Sequence, residues 1–341
     1  LFCVVLALVL EADRTASVRK LYWLPIVFLF WANLHIQFIY GLVVVGLLLA
    51  VIIAQQLAGR LHILPGYILP RLLPAQQMAI VFALCVLATL IGPYSWHLYA
   101  VIWKYSQARV PYSMVFELQP FGLGTYSSYA QLLLACVAFL AVGWQKKIDL
   151  FRLSLLVLTT AVAFRTTRDA WFQCIAAAAC IAGTLFRRDE AGSRETVRQL
   201  GGVFAAVALI AVVGATGVDF SQRGLERAMR HHFPVDAANF LRQNSPPGPL
   251  WSIFDWGGFL IWYLPQYPVG IDGRTDLYGD ATVSRFFQTE LGEAGWRDDA
   301  YLNESGVVLL RTRDELVRRL EEDPRFDKVY KDPIATLFVR R

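Results

Sequence analysis

From residue 1 to residue 217 apolar runs recur with short polar breaks between them, and beyond residue 217 that pattern stops. Runs that cross a bilayer need about 17–25 apolar residues, with shorter pieces tolerated where protein surrounds them. The spacing predicts segments at 1–10, 21–34, 36–55, 79–98, 129–145, 152–165, 171–186 and 201–217, and 21–57 reads equally as one long bent helix. The expected fold class is therefore a membrane all-α bundle of about seven to eight transmembrane helices, some short, followed by a small extracytoplasmic α/β domain. Residues 1–217 would form the helical domain and 218–341 the outer one. The opening run, LFCVVLALVL, has no Met, no basic lead-in and no small-residue cleavage site, so it reads as the tail of a helix rather than a signal peptide.

After residue 217 the periods shorten. Residues 222–243 have helical spacing with a break at Pro234, and NSPPGP stops the run. LWSIF and PVGID predict short strands, followed by GVVLLR as a strand, TRDELVRRLEED as a helix, and FDKVYK and ATLFVR as two more strands. Thr312 and Glu315 have the spacing of a capping box. About 120 residues suffice for one independent core.

Charge sharpens this division. Residues 1–217 carry 16 Lys and Arg against 8 Asp and Glu, and residues 218–341 carry 16 against 19. Placing 11–20, 56–78, 146–152 and 187–200 on one side collects twelve cations, while the opposite loops hold only Lys104, Arg109, Arg165 and Arg168. That bias puts the cation-rich side in the cytoplasm and the C-terminal domain outside it, in a plasma (inner) membrane. The basic pI of about 9.0 then reflects loop cations, not a nucleic-acid partner. All five cysteines sit in apolar segments without CxxC or Cys/His spacing, which argues against a zinc site or a disulfide framework.

Four stretches could carry chemistry. In WANLH, Asn33 and His35 lie where the chain reaches the outer face; they bind a headgroup or shuttle protons, or they pin a helical break while Trp31 anchors the interface. Glu117 is the lone acid of the outer loop 104–128, a base or metal ligand, or a partner of Arg109 or Lys104. Arg165 and Arg168 stand on the cation-poor side, where Asp169 neutralises one locally or a phosphate meets both, since guanidinium matches phosphate geometry. The last stretch is FDWGGFLIWYLPQYPVGIDGRTDLYGD. Its acids Asp255, Asp272, Asp276 and Asp280 lack the alternating spacing of a calcium loop, and Gly257–Gly258 form no GxGxxG or P-loop. Composition alone makes Asp255 a cap and Arg274 a partner of Asp272 or Asp276.

In their order, WANLH, GPYSWHLY, FELQP, an Arg-containing turn, FDWGG–FLIWYLP and IDGRTDLYG resemble a family of prokaryotic polytopic membrane proteins described as GT-C-type glycosyltransferase-like. The resemblance covers nearly the whole chain from about residue 20. It implies transfer of a sugar from a polyprenyl-phosphate-linked donor to an extracytoplasmic acceptor, with a lipid bilayer and that donor as partners and a divalent metal as a compatible cofactor. It places the catalytic acid in a first outer loop upstream of residue 1. It casts Arg165 and Arg168 as donor-phosphate ligands and leaves Glu117 as an assisting base. FDWGG is also similar to the WWDYG motif of the oligosaccharyltransferase catalytic subunit, with Asp255, Trp256 and Gly257 matching in type and order. Together the two resemblances raise Asn33, His35, Asp255, Trp256, Gly257, Asp272, Arg274 and Asp276 as acceptor or domain-interface residues. The alternative is a non-catalytic membrane protein whose outer domain binds a glycan or a protein partner.

Overall fold

The computed structural model describes residues 1–107, 113–115, 118–185, 219 and 221–341. The expected segment 201–217, the domain boundary beside it, Arg109 and Glu117 lie outside the described residues. The described residues form two compact units, one holding 1–107, 115 and 118–185, the other 113–114, 219 and 221–341.

The described helices of the first unit are α1 (Phe2–Thr15), α2 (Leu24–Leu34), α3 (Phe38–Arg60), α4 (Ala75–Thr89), α5 (His97–Gln107), α6 (Tyr126–Gly143), α7 (Leu150–Arg165) and α8 (Ala170–Leu185). α3 is central, packing on α1, α4 and α7. It buries Phe38, Leu42, Val45, Leu48, Val51, Ile52 and Gln55, the three- and four-residue spacing that lines one side of a helix. Backbone hydrogen bonds between loops mark two ends of this unit. At one end Tyr67 and Leu69 exchange backbone hydrogen bonds with Ile148, at 2.8 and 2.9 Å. At the other, Phe121 N–H donates to Phe164 O and Thr167 N–H to Gln119 O, at 2.9 and 3.0 Å. Phe2 packs against Trp171 and Phe172 there, with ring centroids 5.3 and 5.0 Å apart.

The first of these ends is held by buried charge. Arg71 sits between Asp13 at the end of α1 and Asp149, which caps α7. Arg152 adds a contact to Asp149 at 3.4 Å. Gln55 on α3 accepts the Arg71 backbone N–H at 2.8 Å, and the Phe151 ring lies 5.4 Å from the guanidinium. The Arg71 side chain is 2% exposed and that of Asp149 is fully buried. Ions leave water at a cost of several kcal/mol each, so this cluster is tolerable only because opposite charges are desolvated together.

The expected bundle of seven to eight transmembrane helices is not what forms. Among the described residues only Phe38–Arg60 and Tyr126–Gly143 are long and apolar enough to cross a membrane, and Ala75–Thr89 is apolar but shorter. The difference lies in length. α1, α2, α4, α7 and α8 have 11 to 16 residues. At 1.5 Å per residue they cover about 16–24 Å, against a hydrocarbon core of about 30 Å. Hydrophobicity along the sequence marked these segments as apolar without showing that polar turns cut each of them short.

The second unit is built on a four-stranded mixed sheet in the order β1-β2-β4-β3, from β1 (Leu250–Ser252), β2 (Val307–Arg311), β3 (Phe326–Lys331) and β4 (Ala335–Arg340). β1 pairs with β2 in parallel, and the other neighbours are antiparallel. β1 and the first four residues of β2 are buried throughout, as befits strands covered on both faces. The remaining elements are α9 (Gln222–His232), α10 (Val235–Asn244), α11 (Gly257–Tyr263), α12 (Thr275–Tyr278), α13 (Asp280–Glu290), α14 (Ala300–Glu304) and α15 (Glu315–Glu321). Pro234 separates α9 from α10, where the sequence placed the break. PVGID contributes a single bridge from Val269 to Leu250 rather than a strand. The capping box at Thr312 does not form either. Asp314 is the N-cap residue of α15, and the Thr312 hydroxyl donates to Asp332 O at 2.7 Å.

Replacing Arg71 with Met should strand two buried carboxylates and destabilise the helical unit by about 3–5 kcal/mol. Replacing the exposed Arg14, which pairs with Glu11, should leave unfolding unchanged. Denaturant unfolding of both variants in the same detergent checks the contrast.

Candidate functional site

β1 and β2 run parallel, so their carboxyl ends lie at the same edge of the sheet. A crevice outside the carboxyl ends of parallel strands is where open α/β sheets place ligands. Here a cleft of about 540 Å³ occupies that edge. The chain leaves β1 through Ile253 into a 3₁₀ turn, Phe254–Trp256, which delivers Asp255 to the cleft. β2 ends on Arg311, and the Asp255 carboxylate accepts from its guanidinium. His231, His232 and Phe233 at the end of α9, and Arg313, Pro333 and Ile334, complete the lining with Trp256 and Thr312. Trp256 is buried, and its indole Nε1–H donates to His232 O at 3.2 Å, joining the two walls.

Beneath this pair lies a second layer of charge. Glu290 at the end of α13 is buried, accepts the Phe254 backbone N–H at 3.2 Å, and approaches Arg311 at 3.8 Å. Burial raises its carboxyl to about 7, against the opposing pull of the Phe254 N–H and the Arg311 charge. Asp314 accepts the Arg311 backbone N–H at 3.1 Å, and burial pushes its carboxyl up as well. Three acids thus converge on one arginine. Asp255 is the exposed member, and Glu290 and Asp314 hold the arginine from behind.

FDWGG and IDGRTD meet at one glycine. A Cβ on Gly257 would lie 2.1 Å from Ile271 O and 2.9 Å from Asp272 Cα, so the start of α11 closes on that backbone only without a side chain. Gly258 has open space around it. Asp272 is buried and accepts Arg274 N–H at 2.9 Å and Arg274 Nη2–H at 2.6 Å. The guanidinium beside Asp272 holds its carboxyl below the usual aspartate range. This pair closes a turn of its own and does not line the cleft. Asp276 lies in α12, and its side chain is not described. Asp255 caps no helix; the N-cap residue of α11 is Trp256, which makes no side-chain cap.

Several residues singled out in the helical unit make local hydrogen bonds. Asn33 Nδ2–H donates to Leu29 O and Ile91 O at 2.8 and 2.9 Å, tying α2 to the turn after α4. His35 Nδ1 accepts the Gln37 N–H at 3.2 Å. Trp31, expected at an interface, is buried and stacks on Phe28. Arg165 donates to Ser106 O at 2.8 Å. Asp169 accepts the Thr166 hydroxyl at 2.7 Å, so it closes the turn that carries Arg168. Among the described residues no group of three or more His, Cys, Asp or Glu is placed to hold a metal ion.

The sequence reading missed Arg311, Glu290, Asp314, His231 and His232. One signal was present: Arg311 is the charged end of an otherwise apolar strand, GVVLLR, and a cation there sits at the sheet edge where ligands bind. Glu290 has no such signal, because its burial depends on packing.

Gly257→Ala should destabilise the C-terminal unit by about 1–3 kcal/mol, the cost of overpacking a closed contact. Gly258→Ala should be tolerated, and protection of the Val307–Arg311 amides from hydrogen exchange distinguishes the two. Glu290 makes a second prediction. Below the ordinary glutamate value of 4.5 its carboxyl is protonated in folded and unfolded chains alike. Between there and about 7 the unfolded chain ionises while the folded chain keeps its proton. Stability therefore falls as pH rises through that window, by up to about 3 kcal/mol above it. Glu290→Gln should flatten the fall, read as exchange protection of the same amides from pH 4 to 8.

Compared with known proteins, the chain matches no family model and no curated protein.

Proposed function

We propose that the chain is part of a membrane glycosyltransferase-like protein of the GT-C type, transferring a sugar from a polyprenyl-phosphate-linked donor to an extracytoplasmic acceptor. In this reading the cleft of the C-terminal unit holds the acceptor. The observation that carries it is the placement of Asp255 and Trp256, the residues of the FDWGG resemblance, at the carboxyl edge of a parallel strand pair beside Arg311.

A membrane setting for the helical unit has three supports. Two helices have membrane length and composition. Exposed aromatics gather toward both ends: Tyr22, Trp23 and Trp144 near the Arg71 cluster, and Tyr94, Trp96, Trp103, Tyr126 and Tyr129 toward the other. Such belts suit the headgroup levels of a bilayer. The described cations also segregate. Arg14, Arg19, Lys20, Arg60, Arg71, Lys146, Lys147 and Arg152 lie toward the first end, while Lys104, Arg165 and Arg168 lie toward the other. By the positive-inside rule the first end faces the cytoplasm. Arg165 and Arg168 then face the side where a lipid-linked phosphate is used, with the C-terminal domain outside a plasma membrane.

A second reading has one observation in its favour. Asp255 is engaged by Arg311 and so is suited to binding rather than to proton abstraction. Taken alone, the C-terminal unit fits a non-catalytic glycan binder.

The test uses the full-length protein in nanodiscs with a radiolabelled polyprenyl-phosphate hexose and saccharide or peptide acceptors. Asp255→Ala should raise the acceptor KM about tenfold, the loss of one charge-assisted contact, and leave donor hydrolysis unchanged. Arg165→Ala with Arg168→Ala should weaken donor binding by at least about tenfold. Donor binding that survives the double substitution ends the phosphate role. Glycan retention without any transfer favours the second reading.

A further inference from the structure

We infer that the cleft takes an anionic saccharide, with its phosphate or carboxylate on Arg311 and Arg313 and its hydroxyls on Asp255. The inference deepens the acceptor reading and rests on it for the saccharide, not for the anion. Two arginines and two histidines line the cleft, Arg311, Arg313, His231 and His232, and among the described lining residues Asp255 is the one acid. Arg313 is exposed and makes no ion pair with any described residue.

Arg311 is suited to exchange partners. Its ion pair with Asp255 is open to water, the two side chains being 42% and 65% exposed. Such pairs contribute little net stability, so an incoming anion displaces the carboxylate cheaply. The arginine itself stays in place when that happens, because its backbone is in β2 and bonded to Asp314, with Glu290 behind its guanidinium. A planar guanidinium whose position is fixed loses little freedom on meeting a phosphate or carboxylate bidentately. The displaced Asp255 becomes an acceptor for hydroxyl groups. A volume of about 540 Å³ lies within the range of small-molecule sites. Phe233 supplies an apolar face at the same wall.

Titration of the intact chain in nanodiscs, with a neutral methyl hexoside, a hexose 6-phosphate, a hexuronate and inorganic phosphate as separate probes, tests this. The charged saccharides should bind at least about tenfold more tightly than the neutral one, and their order distinguishes phosphate from carboxylate. Arg313→Gln should remove most of that preference. Asp255→Asn should strengthen inorganic phosphate binding by releasing Arg311, a gain that a merely structural aspartate would not give. Equal binding of neutral and charged saccharides, or weaker phosphate binding by Asp255→Asn, overturns the anion site and leaves the acceptor reading standing. Phosphate bound without any saccharide does the reverse. Binding of no probe by a chain whose Val307–Arg311 amides stay protected overturns both.

Discussion

A guanidinium leaves water only in the company of carboxylates, and that constraint organises both units of this chain. In the helical unit Arg71 gathers Asp13, Asp149 and, through its backbone, Gln55, so that three chain segments distant in sequence end at one place. In the C-terminal unit Arg311 gathers Asp255 and Glu290 from two other segments and Asp314 from the turn that follows its own strand. The two clusters differ in water access. Arg71 is sealed and its partners cannot be exchanged without unfolding. Arg311 is sealed on one side and open on the other, which makes it a structural tie and a binding group together.

The parallel pairing of β1 and β2 makes the second cluster possible. Had the two strands been antiparallel neighbours, Asp255 and Arg311 would leave the sheet at opposite edges. The long excursion between them, from Phe254 to Gly306, then does more than connect. It returns Glu290 under the strand ends and brings Ile271 and Asp272 against Gly257. Packing in this domain and the charge arrangement of its cleft therefore have a common origin in topology.

The C-terminal unit was more legible in the sequence than the helical one. Short apolar runs bounded by turn residues, a proline break and a turn-rich middle each leave a local mark, and β1, β2, β3 and β4 fall where such marks stand. The helical unit deceived because hydrophobicity reports an apolar environment, and an apolar environment is provided by neighbouring helices as well as by lipid. α7 shows this, since it buries Arg152 and Thr159 among its apolar residues. At the cleft, Asp255 and Trp256 were visible because their motif was unusual, whereas Glu290 became a site residue only through the fold. Composition made Arg274 a partner of Asp272 or Asp276, and Asp272 is indeed buried and paired with it; only the resemblance had raised the two to acceptor residues.

The contact at Gly257 has an evolutionary consequence. Because the backbone of FDWGG rests directly on that of IDGRTD, no side chain lies between them to absorb a change in either. The two motifs behave as one cassette, and drift in either is constrained by the other. Related chains should keep or lose them jointly, and a graft that carries only the aspartate–tryptophan half to another scaffold will lack the backbone on which Gly257 rests.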